Sequence, residues 1–167
     1  MRSITLRFGL IMSSGFIFYF LAMHLLDLSQ FPGYRLYNAV IQLACIVMAV
    51  LAYKNARPNE FGKLTAVSLG VVTSVVGVLS FAIFQFLFLV LSPDFVTELK
   101  QAVTPLSGSN EPNLSFFSGP IGSNSELSNS LASFLTPFTA AVIVAIEGMV
   151  AGLVLSYLIM RLLFMRK

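Results

Sequence analysis

The sequence predicts an all-α fold, a bundle of four transmembrane helices with both termini on the cytoplasmic side. The chain of 167 residues is 57% hydrophobic and only 10% charged, whereas soluble domains carry about 25% charged residues. Four apolar runs approach or exceed the ~20 residues that a helix needs to cross a bilayer. The basic residues that flank these runs are concentrated on one side. We therefore predict a single integral membrane domain over residues 1–167.

The four apolar runs are the predicted membrane spans. Only helices and closed barrels satisfy the backbone in lipid, and these runs are continuous rather than alternating, which favours helices. The third span would be ~42 Å long as a helix and must tilt, kink or protrude. The spans are predicted at residues 8–28, 36–53, 64–91 and 137–164.

The charges around the spans predict the orientation. Eight of the ten Lys and Arg residues fall on one side, and such an excess is typical of cytoplasmic segments. Both termini and the segment 54–63 are therefore expected inside, and residues 92–136 form a long external loop. The eight residues are Arg2, Arg7, Lys54, Arg57, Lys63, Arg161, Arg166 and Lys167.

The external loop is expected to contain short amphipathic helices around a linker rich in Ser, Gly, Pro and Asn. Ser92 and Pro93 are typical of a helix start. Ser123 and Glu126 have the spacing of a capping box. The second helix is expected to run into the fourth span with a kink near Pro137, because proline removes a backbone donor.

A carboxyl stands inside the fourth span, in "AAVIVAIEGMVAGLVLSYLIM" at residues 140–160. Together with Gln42, Gln85 and His24, Glu147 falls in the outer half of the predicted bilayer. Polar side chains in spans turn away from lipid, so we expect these four to form an intramembrane cluster. Glu147 is expected to face the interior and to be largely protonated, since a carboxylate in low dielectric costs more than a neutral acid.

Two interpretations of Glu147 follow. In the structural one, the acid hydrogen-bonds to a glutamine or serine and holds helices in register. In the functional one, it binds a proton or cation in a small transporter. The lack of a basic partner favours the structural interpretation.

Small residues predict where helices approach closely. Gly148 and Gly152 form a Gly-x-x-x-Gly pair on the fourth span. Gly70, Ser74 and Gly77 offer a similar row on the third. The two rows pack together within one chain, or the glycine face pairs two chains. Packing within the chain is favoured, because the motif is common in membrane helices.

The sequence shows no phosphate-binding, hydrolase or metalloprotease motif. With one His and one Cys, a metal site or a Cys/His dyad would need another chain. We therefore expect no enzyme, no cofactor and no metal, and nothing supports nucleic-acid binding. The expected partners are the lipid bilayer and either a homodimer or an unidentified membrane protein.

Four segments carry a family resemblance: "RFGLIMSSG", "YKNARPNEFGKLT", "LSPDF" and "RLLFMRK". Their order resembles a bacterial inner-membrane family catalogued as domain of unknown function four-one-nine-nine. The resemblance implies a multi-pass protein of the bacterial inner (plasma) membrane and no assigned activity. In that family an acidic helical loop precedes the last span, and here the Ser/Gly/Asn linker partly replaces it. The expected function is a non-catalytic accessory or assembly component; the alternative is a small proton- or cation-coupled transporter that uses Glu147.

Overall fold

The computed structural model describes residues 2–26, 36–97 and 136–165, and its regular elements over those ranges are helices. A 3-10 turn at Pro58–Glu60 joins the second and third long helices. All four long helices are long and apolar enough to cross a membrane, so the predicted four-span, all-α fold is confirmed. The helices are α1 (Arg2–Leu25), α2 (Leu36–Ala56), α3 (Lys63–Leu91) and α4 (Pro137–Phe164).

Helix α3 lies at the centre of the bundle and contacts each of the other three helices. Gly9 of α1 meets Val76 of α3, and Phe20 meets Phe88 further along, so these two helices run parallel. Helix α4 runs antiparallel to α3, because Ser156 lies against Gly70 while Gly148 lies against Val78. The start of α1, the end of α2, the start of α3 and the end of α4 therefore share one end, which we call the basic end. It contains Arg2, Lys54, Arg57, Lys63 and Arg161.

The core has two apolar layers and an aromatic cap. The layer nearer the basic end consists of Ile46, Val50, Tyr53, Ala66, Leu69 and Ile159. The second layer consists of Met12, Phe16, Cys45, Val78 and Phe81. At the far end Phe20, Phe88 and Phe95 meet edge to face, with ring centroids 5.2 to 6.1 Å apart. Aromatic edges and faces attract each other at such distances.

The segment between α3 and α4, residues 92–136, is described only at its two ends. Residues 93–97 are helical, as predicted from Ser92 and Pro93. Phe95 is only 7% exposed and packs into the aromatic cap. The second predicted loop helix, after Ser123, lies outside the described residues.

The expected kink at Pro137 is wrong. Thr136 has extended backbone angles and caps α4, so Pro137 occupies the first helical position. A proline there breaks no hydrogen bond, because the first backbone N–H groups of a helix have no partner within it.

Candidate functional site

Gln42 is a polar residue that joins two helices inside the bundle. It lies on α2, is 3% exposed, and its Nε2 donates to the carbonyl oxygen of Gly148 on α4 at 2.8 Å. An amide that faced lipid would lack such a partner, and interhelical bonds of this kind stabilise membrane bundles. Gln42 therefore serves helix packing.

The glycines of α4 pack within the chain. A Cβ at Gly148 would lie 2.8 Å from both Cγ atoms of Val78, and one at Gly152 would lie 2.7 Å from Gln42 Nε2 and closer still to Ser74. Real side chains do not approach this closely, so glycine is what allows α4 to reach α3 and α2. Of the two arrangements left open by the sequence, the structure shows packing within one chain.

The other small residues of α3 are divided between two partners. Gly70 lies against the side chain of Ser156 and against Ile46. Gly77 instead faces α1, where a Cβ would lie 2.7 Å from Met12 Cε and 3.0 Å from the carbonyl oxygen of Gly9. Sequence reasoning missed Gly9, although its position in an apolar run was a signal for close approach.

Glu147 is exposed on the outer surface of α4. Its neighbours on this surface are Ile143, Val150 and Val154, which are 45%, 59% and 49% exposed. Glu147 makes no hydrogen bond or ion pair with any residue that the structure describes. The expectation that it faces the interior is therefore not met, because Gly148, about 100° further round the helix, takes the place against α3.

The other two predicted members of the cluster, His24 and Gln85, make no hydrogen bond with Glu147 in the described part of the chain. His24 packs edge to face against both Phe88 and Phe95, with ring centroids 5.3 and 5.0 Å away. Gln85 is half-buried, and its Oε1 is enclosed without a hydrogen-bond partner among the described residues. The structure therefore does not bring Glu147, Gln42, Gln85 and His24 together as the predicted intramembrane cluster.

Residues 7–167 match the family described as "Protein of unknown function (DUF4199)". The chain belongs to this family. No match was found among curated proteins or among solved structures. The match covers all of α2, α3 and α4, so the polar contacts described above lie within the matched residues.

Helices α3 and α4 of this DUF4199 protein carry buried hydroxyl groups. The sequence analysis did not group them with Gln42. Thr73 and Ser74 of α3 are at most 1% exposed, and their hydroxyl oxygens have no hydrogen-bond partner among the described residues. Ser156 donates to the carbonyl oxygen of Gly152 one turn earlier. Small hydroxyl side chains permit close helix packing, and Ser74 and Ser156 lie where α3 and α4 approach each other, against Gly152 and Gly70.

The basic end contains a small ionic network. Arg57 and Glu60 form an ion pair with Nη1 and Oε2 3.0 Å apart, and the hydroxyl of Tyr53 donates to the same carboxylate at 3.1 Å. The hydrogen bond from Arg57 lowers the pKa of Glu60, and the bond from Tyr53 lowers it further. The network closes the turn between α2 and α3.

The arrangement separates two kinds of polar group in the DUF4199 bundle. The amide of Gln42 joins two helices and three buried hydroxyls lie inside the bundle, whereas the carboxyl of Glu147 points away from it. Across residues 2–26, 36–97 and 136–165, no three His, Cys, Asp or Glu side chains are grouped as metal ligands. The carboxyl on the outside of α4 is the candidate functional group.

Proposed function

We propose that this DUF4199 protein is a non-catalytic accessory or assembly component of the bacterial inner membrane. The observation that supports the proposal is the outward position of Glu147 on α4, within an exposed apolar surface. A carboxyl that faces lipid is costly. Contact with another membrane protein would cover it and supply a hydrogen-bond partner.

We also propose an orientation of the chain in the membrane. Both termini and residues 54–63 are cytoplasmic, and residues 92–136 are external. The described basic residues at one end of the bundle support this placement, because such residues are retained on the cytoplasmic side.

Position-specific photo-crosslinking in native membranes tests the assembly role. A photoreactive residue at Val150 should give a discrete protein adduct, because this side chain lies next to Glu147 on the exposed surface. The matched control is Val40 of α2, which is also valine and is 60% exposed compared with 59% for Val150. Val40 lies at a similar depth in the bundle to Val150. Gln42, two residues after Val40, reaches both Gly148 and Gly152, which stand on either side of Val150 in the sequence. Lipid adducts alone at both positions would contradict the proposal.

A proton- or cation-coupled transporter is the second candidate, because Glu147 is an acid in the middle of a span. A pathway would then run along the outer surface of α4 between chains. Uptake into proteoliposomes driven by a proton gradient tests it. Transport that is lost in Glu147→Gln, with the protein still folded, would favour this candidate over the assembly role.

A further inference from the structure

The exposed side of α4 has the spacing of a helix-pairing surface. Five exposed residues follow one another at intervals of four, three, four and three positions. This is the seven-residue repeat with which two helices pair along a left-handed seam, and β-branched side chains suit its packing positions. We call this row the α4 seam; it consists of Ile143, Glu147, Val150, Val154 and Tyr157.

Helix α4 has room for a neighbour along this seam. It packs against α3 and more weakly against α2. In an apolar stretch of 18 residues in α4, 17% of the residues are buried, compared with 33% in the corresponding stretches of α2 and of α3. Helix α4 is therefore at the edge of the bundle, and its seam points away from the other helices.

The chemistry of Glu147 indicates what would cover the seam. In an apolar medium a carboxylic acid needs a partner for both its O–H donor and its carbonyl acceptor. A second carboxylic acid supplies both and receives the same in return. A second copy offers this group at the matching depth, whereas the basic residues of the described spans lie towards the basic end.

We propose that two copies of the chain pair through their α4 seams, with Glu147 of one copy hydrogen-bonded to Glu147 of the other. Both copies have the same orientation in the membrane, so a two-fold axis along the membrane normal makes the helices parallel and places equal positions opposite each other. A single polar residue in an otherwise apolar seam sets the register of such a pair. The inference rests on the proposed function, since it names the partner of the same surface.

Cysteine crosslinking in membranes tests the pairing. The chain has one cysteine, Cys45, which is buried, so Cys45→Ala gives a cysteine-free background. Val150→Cys and Val154→Cys in this background should form dimers with a short membrane-permeable thiol crosslinker. The matched controls are Val40→Cys for position 150 and Val72→Cys for position 154. Val72 is 42% exposed compared with 49% for Val154, and its neighbour Ser74 faces Gly152 at nearly the same depth.

Substitutions at Glu147 test the hydrogen bond itself. Glu147→Gln retains a donor and an acceptor, so crosslinking through Val150→Cys should persist. Glu147→Leu removes both, and the dimer constant should fall roughly three- to thirty-fold, as for other interhelical bonds in membranes. Because Glu147 is exposed and has no partner among the described residues of its own chain, neither change should alter the fold of the single chain.

The outcomes separate this inference from the proposed function. Crosslinks at Val150 and Val154 but not at the controls, with the Glu147→Leu loss, would support the pairing. No cysteine crosslink, but a photo-adduct of Val150 with a different protein, would overturn the pairing and leave the assembly role standing. Neither crosslink nor protein adduct would overturn both. Equal crosslinking at seam and control positions would indicate random collision and would also overturn the pairing.

Discussion

At the scale of single residues, the rotation of α4 is decided by Gly148 and Gly152 rather than by Glu147. The carboxyl and the first glycine are consecutive and point about 100° apart, so both cannot sit at the centre of one contact. Close packing along Gly148, Gly152 and Ser156 brings α4 against α3, and dispersion contacts accumulate over the whole length of such an approach. Glu147 is thereby directed outward.

A pair of alanine substitutions tests this packing. Gly152→Ala should destabilise the bundle by about 1–3 kcal/mol, the usual cost of overfilling a packed interior, because its Cβ would collide with Ser74 and approach Gln42 Nε2 to 2.7 Å. Gly62→Ala is the matched control, since its Cβ would meet only Thr65 Oγ1 at 4.0 Å. Unfolding in lipid by denaturing detergent measures both. An unchanged stability of Gly152→Ala would mean that α4 does not pack as described.

At the scale of the elements, the boundaries of the spans depend on local capping chemistry. Helix α4 begins where the hydroxyl of Thr136 accepts from the backbone N–H of Thr139 at 3.2 Å and the Thr139 hydroxyl accepts from the N–H of Thr136 at 2.8 Å. Two otherwise unpaired donors are satisfied in this way. The cap explains why the helix starts at Pro137 instead of continuing through it.

Removal of this cap should weaken the start of α4. Thr136→Ala is expected to cost about 1 kcal/mol of stability, as for other helix N-caps. Thr136→Ser keeps the hydroxyl and should remain close to the parent protein. Hydrogen exchange of the amides at residues 138–141 gives the local readout; equal protection in Thr136→Ala and in the parent would contradict the role of the cap.

The turn between α2 and α3 should respond to pH through Glu60. Arg57 lowers the pKa of Glu60 in the folded protein. The ionised Glu60 carboxylate therefore stabilises the fold at pH values above its unfolded-state pKa of about 4.3. This stabilisation is lost as the pH falls through the lower pKa of the folded state. Glu60→Gln should therefore be less stable than the parent at neutral pH, and the two should converge in acid. The free energy of unfolding against pH checks this; a difference that grows in acid would have the wrong sign.

At the scale of the whole molecule, orientation is the property on which the proposed location depends. In the Cys45→Ala background, a cysteine at Ser118 should react with a membrane-impermeant maleimide in intact cells. A cysteine at Asn59, beside the basic end, should react only after the membrane is opened. The physical reason is the retention of basic segments in the cytoplasm, and the reverse labelling pattern would contradict the orientation.

The sequence predicted the spans well because membrane crossing depends on length and hydropathy, which are local. Helices α2, α3 and α4 begin and end close to the predicted limits, whereas α1 begins at Arg2, ahead of its apolar run. The glycine row of α4 was predicted to pack within the chain, but Glu147 was wrongly placed on the inner side as well. The sequence of α4 is apolar on every side, so hydropathy does not distinguish the face against α3 from the face that carries Glu147. Only the positions of Gly148, Gly152 and Ser156 contained that information.

The central claim is that Gly148 faces α3 while Glu147 faces away from it, and paired cysteines test this most directly. A Cβ at residue 148 would lie 3.4 Å from Val78 Cβ. This is close to the roughly 3.5–4.5 Å between the two Cβ atoms of a typical disulfide. In the Cys45→Ala background, Val78→Cys with Gly148→Cys should therefore oxidise rapidly within one chain, and Val78→Cys with Glu147→Cys should not. Rapid oxidation within the chain for the Glu147 pair, with none for the Gly148 pair, would show that the carboxyl faces the interior and would contradict the account.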